Sequence, residues 1–123
     1  MISIQSVQAI HEILIDRFGG SKGIRDSGIL ESAINRPYQT FDQIELYPHP
    51  VDKAAAIFES LISNHPFVDG NKRTAYVLLR ITLNANGYDI EASQDEKYDF
   101  VLSAAKGELK FEQIKAWIVK HLS

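Results

Sequence analysis

The chain has 123 residues, 45% hydrophobic, 10% aromatic and 24% charged, the profile of one ordinary globular domain and not of a disordered or fibrous chain. Thirteen Lys and Arg against sixteen Asp and Glu leave a formal net charge of −3, so neither nucleic acid nor anionic membrane is expected as the main partner, and any phosphate site must be local, built from a few positioned cations. The absence of cysteine excludes disulfides, thiolate zinc sites and cysteine nucleophiles.

The apolar spacing is helical almost throughout. Ile4, Val7, Ile10, Leu14, Ile15 and Phe18 define a first helix, with Ser3 as its N-cap and Gly19-Gly20 as its stop. After a loop from Ser21 to Arg25, Asp26 or Ser27 caps a second helix with Ile29, Leu30, Ala33 and Ile34 on its apolar face; Pro37 ends it. Residues 38–49 form the least regular stretch, read as a surface loop with a short extended flap. Pro50 suits the first position of a third helix, buried on most sides through Ala54, Ala55, Ala56, Ile57, Phe58, Leu61 and Ile62. It stops at Asn64-His65-Pro66. A fourth, also buried, begins near Asn71 and closes at Asn86-Gly87. Ser93-Gln94-Asp95-Glu96 has the form of a capping box for a fifth helix ending at Gly107. Phe111, Ile114, Trp117, Ile118 and Leu122 mark a sixth. The expected fold is a single all-α domain of about six helices over residues 1–123, with nothing that demands a sheet. No apolar run is long enough to span a bilayer and the first residues lack a signal peptide's basic region, so a cytoplasmic protein is expected.

Chemistry is concentrated in His65-Pro66-Phe67-Val68-Asp69-Gly70-Asn71-Lys72-Arg73-Thr74, between the two most apolar helices. A helix N-terminus offers unpaired backbone N–H groups and the positive end of the dipole. Gly70 lets ligand oxygens approach the backbone. Lys72 and Arg73 add cations where the dipole disfavours them, which points to an anion. Asp69 suits a Mg²⁺ bridging phosphate oxygens. His65 supplies a proton acceptor near neutral pH. His65 and Asp69 also stand four apart, as two metal ligands on a helix do, but Pro66 and Gly70 argue against a regular helix there.

The stretch from His65 to Arg73 resembles the signature loop of the Fic/Doc family, H-x-F-x-D/E-x-N-x-R. The similarity is greatest to the Doc (death-on-curing) toxin branch, in which Lys follows the Asn as Lys72 does here; the AMP-transferring Fic branch has Gly. Arg17-Phe18-Gly19-Gly20, Gly23-Ile24-Arg25-Asp26 and the chain length also resemble Doc. The resemblance implies a compact helical fold and transfer of part of a nucleotide to a protein hydroxyl. It implies His65 as general base, Asp69 as holder of Mg²⁺, and Gly70, Asn71, Lys72 and Arg73 as the cradle for the phosphates of ATP. In the Doc reading the γ-phosphoryl is delivered, with Lys72 neutralising the developing charge. A Ser or Thr of a target in the translation machinery, an elongation factor in particular, and an antitoxin acting in trans are also implied.

Departures from the family are visible. Tyr76 stands where AMP-transferring members carry a second Arg, and Ser63 where some Doc proteins carry a basic residue. Gly70 is shared with the AMP-transferring branch. The self-inhibitory helix pattern is absent, because Ser32 follows Glu31 in the nearest stretch. Around Pro37, Tyr38, Gln39 and Thr40 two readings stand, a mere connection or the flap that aligns a target segment by strand addition. Asp26 is read as a helix cap. Arg25 is read as facing an acidic partner, His11 and His121 as surface or edge residues, His49 as an unremarkable turn residue, and Trp117 as core.

Overall fold

The structure is a computed structural model and describes residues 2–123. Six helices account for most of the chain: α1 (Ile4–Phe18), α2 (Ser27–Asn35), α3 (Pro50–Asn64), α4 (Asn71–Asn84), α5 (Gln94–Ala105) and α6 (Phe111–Lys120). The expected all-α class is observed. One addition is a two-stranded antiparallel ribbon, β1 (Thr40–Phe41) and β2 (Ile44–Glu45), pairing Thr40 with Glu45 and Phe41 with Ile44. Its turn residues Asp42 and Gln43 have φ of 52° and 65°, the left-handed pair that matches the twist of a hairpin. Both strands are exposed, so no apolar alternation announced them.

The helix ends follow local chemistry. The Ser3 hydroxyl accepts the Ser6 N–H at 3.1 Å, and Asp26 accepts from Ile29 N at 3.0 Å. Ser93 and Glu96 close the expected capping box with reciprocal bonds of 3.1 and 3.0 Å. Pro37 does not cut the chain off sharply; one 3₁₀ turn, Arg36–Tyr38, continues past α2 with Pro37 buried inside it. His49 is more than a turn residue. Its Nδ1 accepts the Val51 N–H at 3.1 Å while Asp52 accepts the His49 N–H at 3.3 Å, so it caps α3.

α3 runs through the centre, burying ten of its side chains, and packs most extensively on α4. Ala54 and Ala55 of α3 and Leu78, Leu79 and Leu83 of α4 are all fully buried in one apolar core. On the other side Phe58, Phe100 and Trp117 stack in series, with centroid separations of 4.9 and 3.9 Å, joining α3, α5 and α6. His121 is buried, contrary to expectation: its Nδ1 lies 2.9 Å from the Trp117 carbonyl and its Nε2 2.9 Å from Glu96. It ties the end of α6 to the first turn of α5, and α5 forms one wall of the cleft described next.

Candidate active site

The connection between α3 and α4 is short, and almost every polar backbone atom in it has a partner. His65 ends α3 in the left-handed conformation, φ 51° and ψ 60°. For a residue with a Cβ this costs roughly 1–2 kcal/mol, and His is among the side chains that tolerate it. Arg25 offsets the cost. Its Nε donates to the His65 carbonyl and its Nη2 to the Asn64 carbonyl, both at 2.7 Å. These are the unsatisfied carbonyls at the C-terminus of α3, where a cation is favoured. Arg25 therefore serves the loop and not an acidic partner, correcting the sequence reading. The backbone N–H groups of Arg25 and Asp26 reach the Pro66 carbonyl, at 2.7 and 3.1 Å, and Val68 N donates to the Gly23 carbonyl at 3.0 Å.

The rest of the loop is held from α1 and from within. Phe67 is buried and stacks on the His11 ring, centroids 3.8 Å apart and planes within 6°. His11 Nε2 donates to the Asp69 carbonyl at 2.7 Å. Only 2% exposed, His11 is no surface residue. The signal was present in the sequence: Val7, His11 and Ile15 are spaced by four and form the buried face of α1. Asn71 turns its side-chain amide back on the loop, accepting from Phe67 N and donating to Phe67 O, both at 3.0 Å. Gly70, with φ 74°, is required on the α1 side: a Cβ there would sit 3.0 Å from Ile15 Cδ1 and 3.5 Å from His11 Nε2. Its missing side chain makes room for α1, and Gly70 also lines the cleft described below.

These restraints leave a definite set of groups unused. The N–H groups of Asn71, Lys72 and Arg73 have no hydrogen-bond partner among the described residues. Lys72 and Arg73 are exposed and make no salt bridge among the described residues. The Arg73 guanidinium lies 4.1 Å over the Phe18 ring, a cation–π contact that restrains it beside the loop. Asp69 is exposed; Oδ1 accepts from Gly70 N at 3.0 Å and Oδ2 from Ser21 N at 3.2 Å. Gly20, read from sequence only as a helix stop, is what permits this carboxylate, since a Cβ there would lie 2.8 Å from Asp69 Oδ2.

His65, Asp69, Gly70, Asn71, Lys72 and Arg73 all line one open cleft of about 870 Å³, together with Lys97 and Tyr98 of α5 and Lys106 just after it. Tyr76, one turn after Arg73, also faces it. Its hydroxyl is buried without a partner, and burial raises its pKa. Pro37, Tyr38, Gln39 and Thr40 do not line this cleft. Gln39 instead shares a smaller cavity of about 450 Å³ with Asn64, the residue before His65. The flap base is pinned by Lys53, whose Nζ donates to the Pro37 and Tyr47 carbonyls and to Glu45. Phe41 and Ile44 stand 76% and 69% exposed on the ribbon.

One carboxylate with spare lone pairs beside an anion cradle fits Mg²⁺, which commonly takes one or two protein carboxylates and completes its shell with phosphate oxygens and water. No cluster of three His, Cys, Asp or Glu occurs among the described residues, so a self-sufficient protein metal cage is not what the donors form.

The cleft thus brings together an exposed histidine, an exposed carboxylate and a helix N-terminus whose first N–H groups are free of partners among the described residues. Residues 1–83 match the Fic/DOC family, and this chain belongs to it. It is 31% identical over 113 residues to the protein kinase doc of Escherichia phage P1, a match covering 92% of this chain and 88% of that one. It is 45% identical over 78 residues to the toxin Doc of Mycolicibacterium smegmatis, covering 63% of this chain and 60% of that one. Over 66 residues, half of this chain, it is 39% identical to the protein adenylyltransferase Fic of Drosophila melanogaster, of which the match covers 13%.

Proposed function

We propose that this protein transfers the γ-phosphoryl group of ATP to a Ser or Thr hydroxyl of a target protein. The observation that carries the proposal is the coincidence, in one cleft, of exposed His65 with the three unpartnered N–H groups and two unpaired cations that begin α4. Asn71, Lys72 and Arg73 present these to the nucleotide's phosphates; the relative named as a kinase supports phosphoryl transfer, and the relative named as a toxin supports the toxin reading.

His65 stands at the cleft mouth to take the proton of the acceptor hydroxyl. The hydroxyl oxygen then bonds to the γ-phosphorus, the bond to the bridging β–γ oxygen breaks, and ADP leaves. A positioned base of this kind contributes about 10²–10⁴ in rate. Asp69 would hold Mg²⁺, which when bound neutralises phosphate charge. Lys72 lies where a long cation meets negative charge on the transferred group. Of the flap residues Pro37, Tyr38, Gln39 and Thr40, only Thr40 lies on the ribbon, whose edge would take a target strand; Pro37 and Tyr38 sit in the 3₁₀ turn before it. The protein acts as the toxin half of a toxin–antitoxin pair in the cytoplasm, restrained by an antitoxin in trans, with an elongation factor as target. No helix among the described residues is long and apolar enough to cross a membrane.

AMP transfer by the same loop is the second reading, favoured by the adenylyltransferase relatives. There the hydroxyl attacks the α-phosphorus and pyrophosphate leaves. A single experiment separates the two. Protein and its His65→Ala variant are incubated with bacterial lysate, Mg²⁺ and ATP labelled at the α- or the γ-phosphate. A His65-dependent band from γ label alone supports phosphoryl transfer. A His65-dependent band with α label means nucleotidyl transfer. No His65-dependent band from either label refutes both and leaves a binding module.

A further inference from the structure

We infer that Arg25 is a positioning residue for His65, an inference that rests on the reading of His65 as the base. The guanidinium sits in the loop after α1, forty residues before the histidine in sequence. Its side chain makes two hydrogen bonds, both to consecutive carbonyls, those of Asn64 and His65, at 2.7 Å. His65 itself is exposed and in the left-handed conformation, φ 51°. Its side chain makes no hydrogen bond among the described residues. The position of its Cα–Cβ bond, from which the imidazole projects, is set by the backbone, and Arg25 is the side chain bonded to that backbone at residues 64 and 65. A planar fork that spans two carbonyls fixes the peptide plane between them; a point donor does not. Arg25 is also exposed, so its removal leaves no core cavity.

Activity and His65 conformation together test this. Arg25→Met keeps the apolar stem without donors, and Arg25→Lys restores a single donor. Lys22→Met serves as a control of equal charge change, since Lys22 pairs only with Asp16, at 3.0 Å. Expected for Arg25→Met is a kcat lower on the order of tenfold to a hundredfold, as for a displaced catalytic group, with KM for ATP within about twofold. Arg25→Lys falls between it and the wild type, and Lys22→Met matches the wild type. The ¹³Cα and ¹³Cβ shifts of His65 move away from left-handed values in Arg25→Met, while those of Val77 and Leu83 stay in place. Wild-type kcat together with unmoved His65 shifts overturns the inference. A general loss of NMR dispersion, with kcat and KM worsening together, also overturns it in favour of a scaffold role. Should the wild-type protein transfer no phosphoryl group, the functional reading fails and the His65 shifts alone decide: movement supports Arg25 as the restraint, and no movement refutes it.

Discussion

Replacing His11 tests whether the loop between α3 and α4 is held from α1. His11 is 2% exposed and makes two distinct contacts, a 2.7 Å bond from Nε2 to the Asp69 carbonyl and a parallel stack on Phe67. His11→Phe keeps a ring of similar shape but leaves the part-buried Asp69 carbonyl without its donor, which costs about 1 kcal/mol, the net worth of a bond whose acceptor water can partly reach. His11→Gln keeps a donor at similar reach but loses the stacked ring, about 0.5–1.5 kcal/mol beyond lost burial. In a domain of this size each kcal/mol moves Tm by about 3–5 °C. His11→Phe is thus expected to melt about 3–5 °C below the wild type. Urea unfolding with an unchanged m-value is the assay, paired with native-state hydrogen exchange. The Phe67 and Val68 amides, bonded to Asn71 and Gly23, exchange faster in His11→Phe if the loop opens. A His11→Phe protein within about 0.5 kcal/mol of the wild type, with unchanged exchange at those amides, would refute the reasoning.

Three further outcomes are expected. Gly20→Ala drives a Cβ to within 2.8 Å of Asp69 Oδ2 at a backbone φ of 116°; it loses about 1–3 kcal/mol, and its activity needs more Mg²⁺ than wild type, read from a Mg²⁺ titration of turnover. Tyr76→Phe removes a buried hydroxyl that has no partner, so urea unfolding should find it neutral to about 1 kcal/mol more stable; a loss above 1 kcal/mol would mean the hydroxyl is satisfied in solution. Acid stability follows the carboxylates. Glu96 is held down at about 2 by the Ser93 N–H, then by His121 and the Ser93 hydroxyl, from an ordinary 4.5. Its folded pKa lies below its unfolded one, so its contribution is whole above pH 4.5 and is lost as pH falls toward 2. Asp89, held below the carboxylate range chiefly by Arg80, acts in the same direction. Tm should fall through that window, less steeply in Glu96→Gln; equal slopes in the two proteins would contradict the assignment.

Much of the local architecture is legible in order. The caps at Ser3, Asp26 and Ser93 need only a side-chain oxygen and an N–H two or three residues away, and such short-range chemistry is written in consecutive residues. The helix faces follow from spacing alone, and Gly19-Gly20 does stop α1. The ribbon was less legible because exposed two-residue strands carry no alternation, and its turn, Asp42-Gln43, has no glycine to advertise positive φ. His121 escaped because its partner Glu96 lies on another helix.

For the candidate site, the sequence determined which chemical groups are present and that a helix begins among them: a histidine, a carboxylate, two cations and a run of N–H groups within nine residues. Only the tertiary structure decided which of them remain available. Asn71 is turned onto Phe67, Gly70 makes room for α1, and His11, Gly20 and Arg25, far earlier in the chain, surround and hold the loop that carries His65 and Asp69. The physical reason is that a short loop between two helices has more backbone polar atoms than its own side chains can satisfy. The missing partners must come from whatever packs against it, and that is set by how the helices pack together, which no local stretch of sequence records.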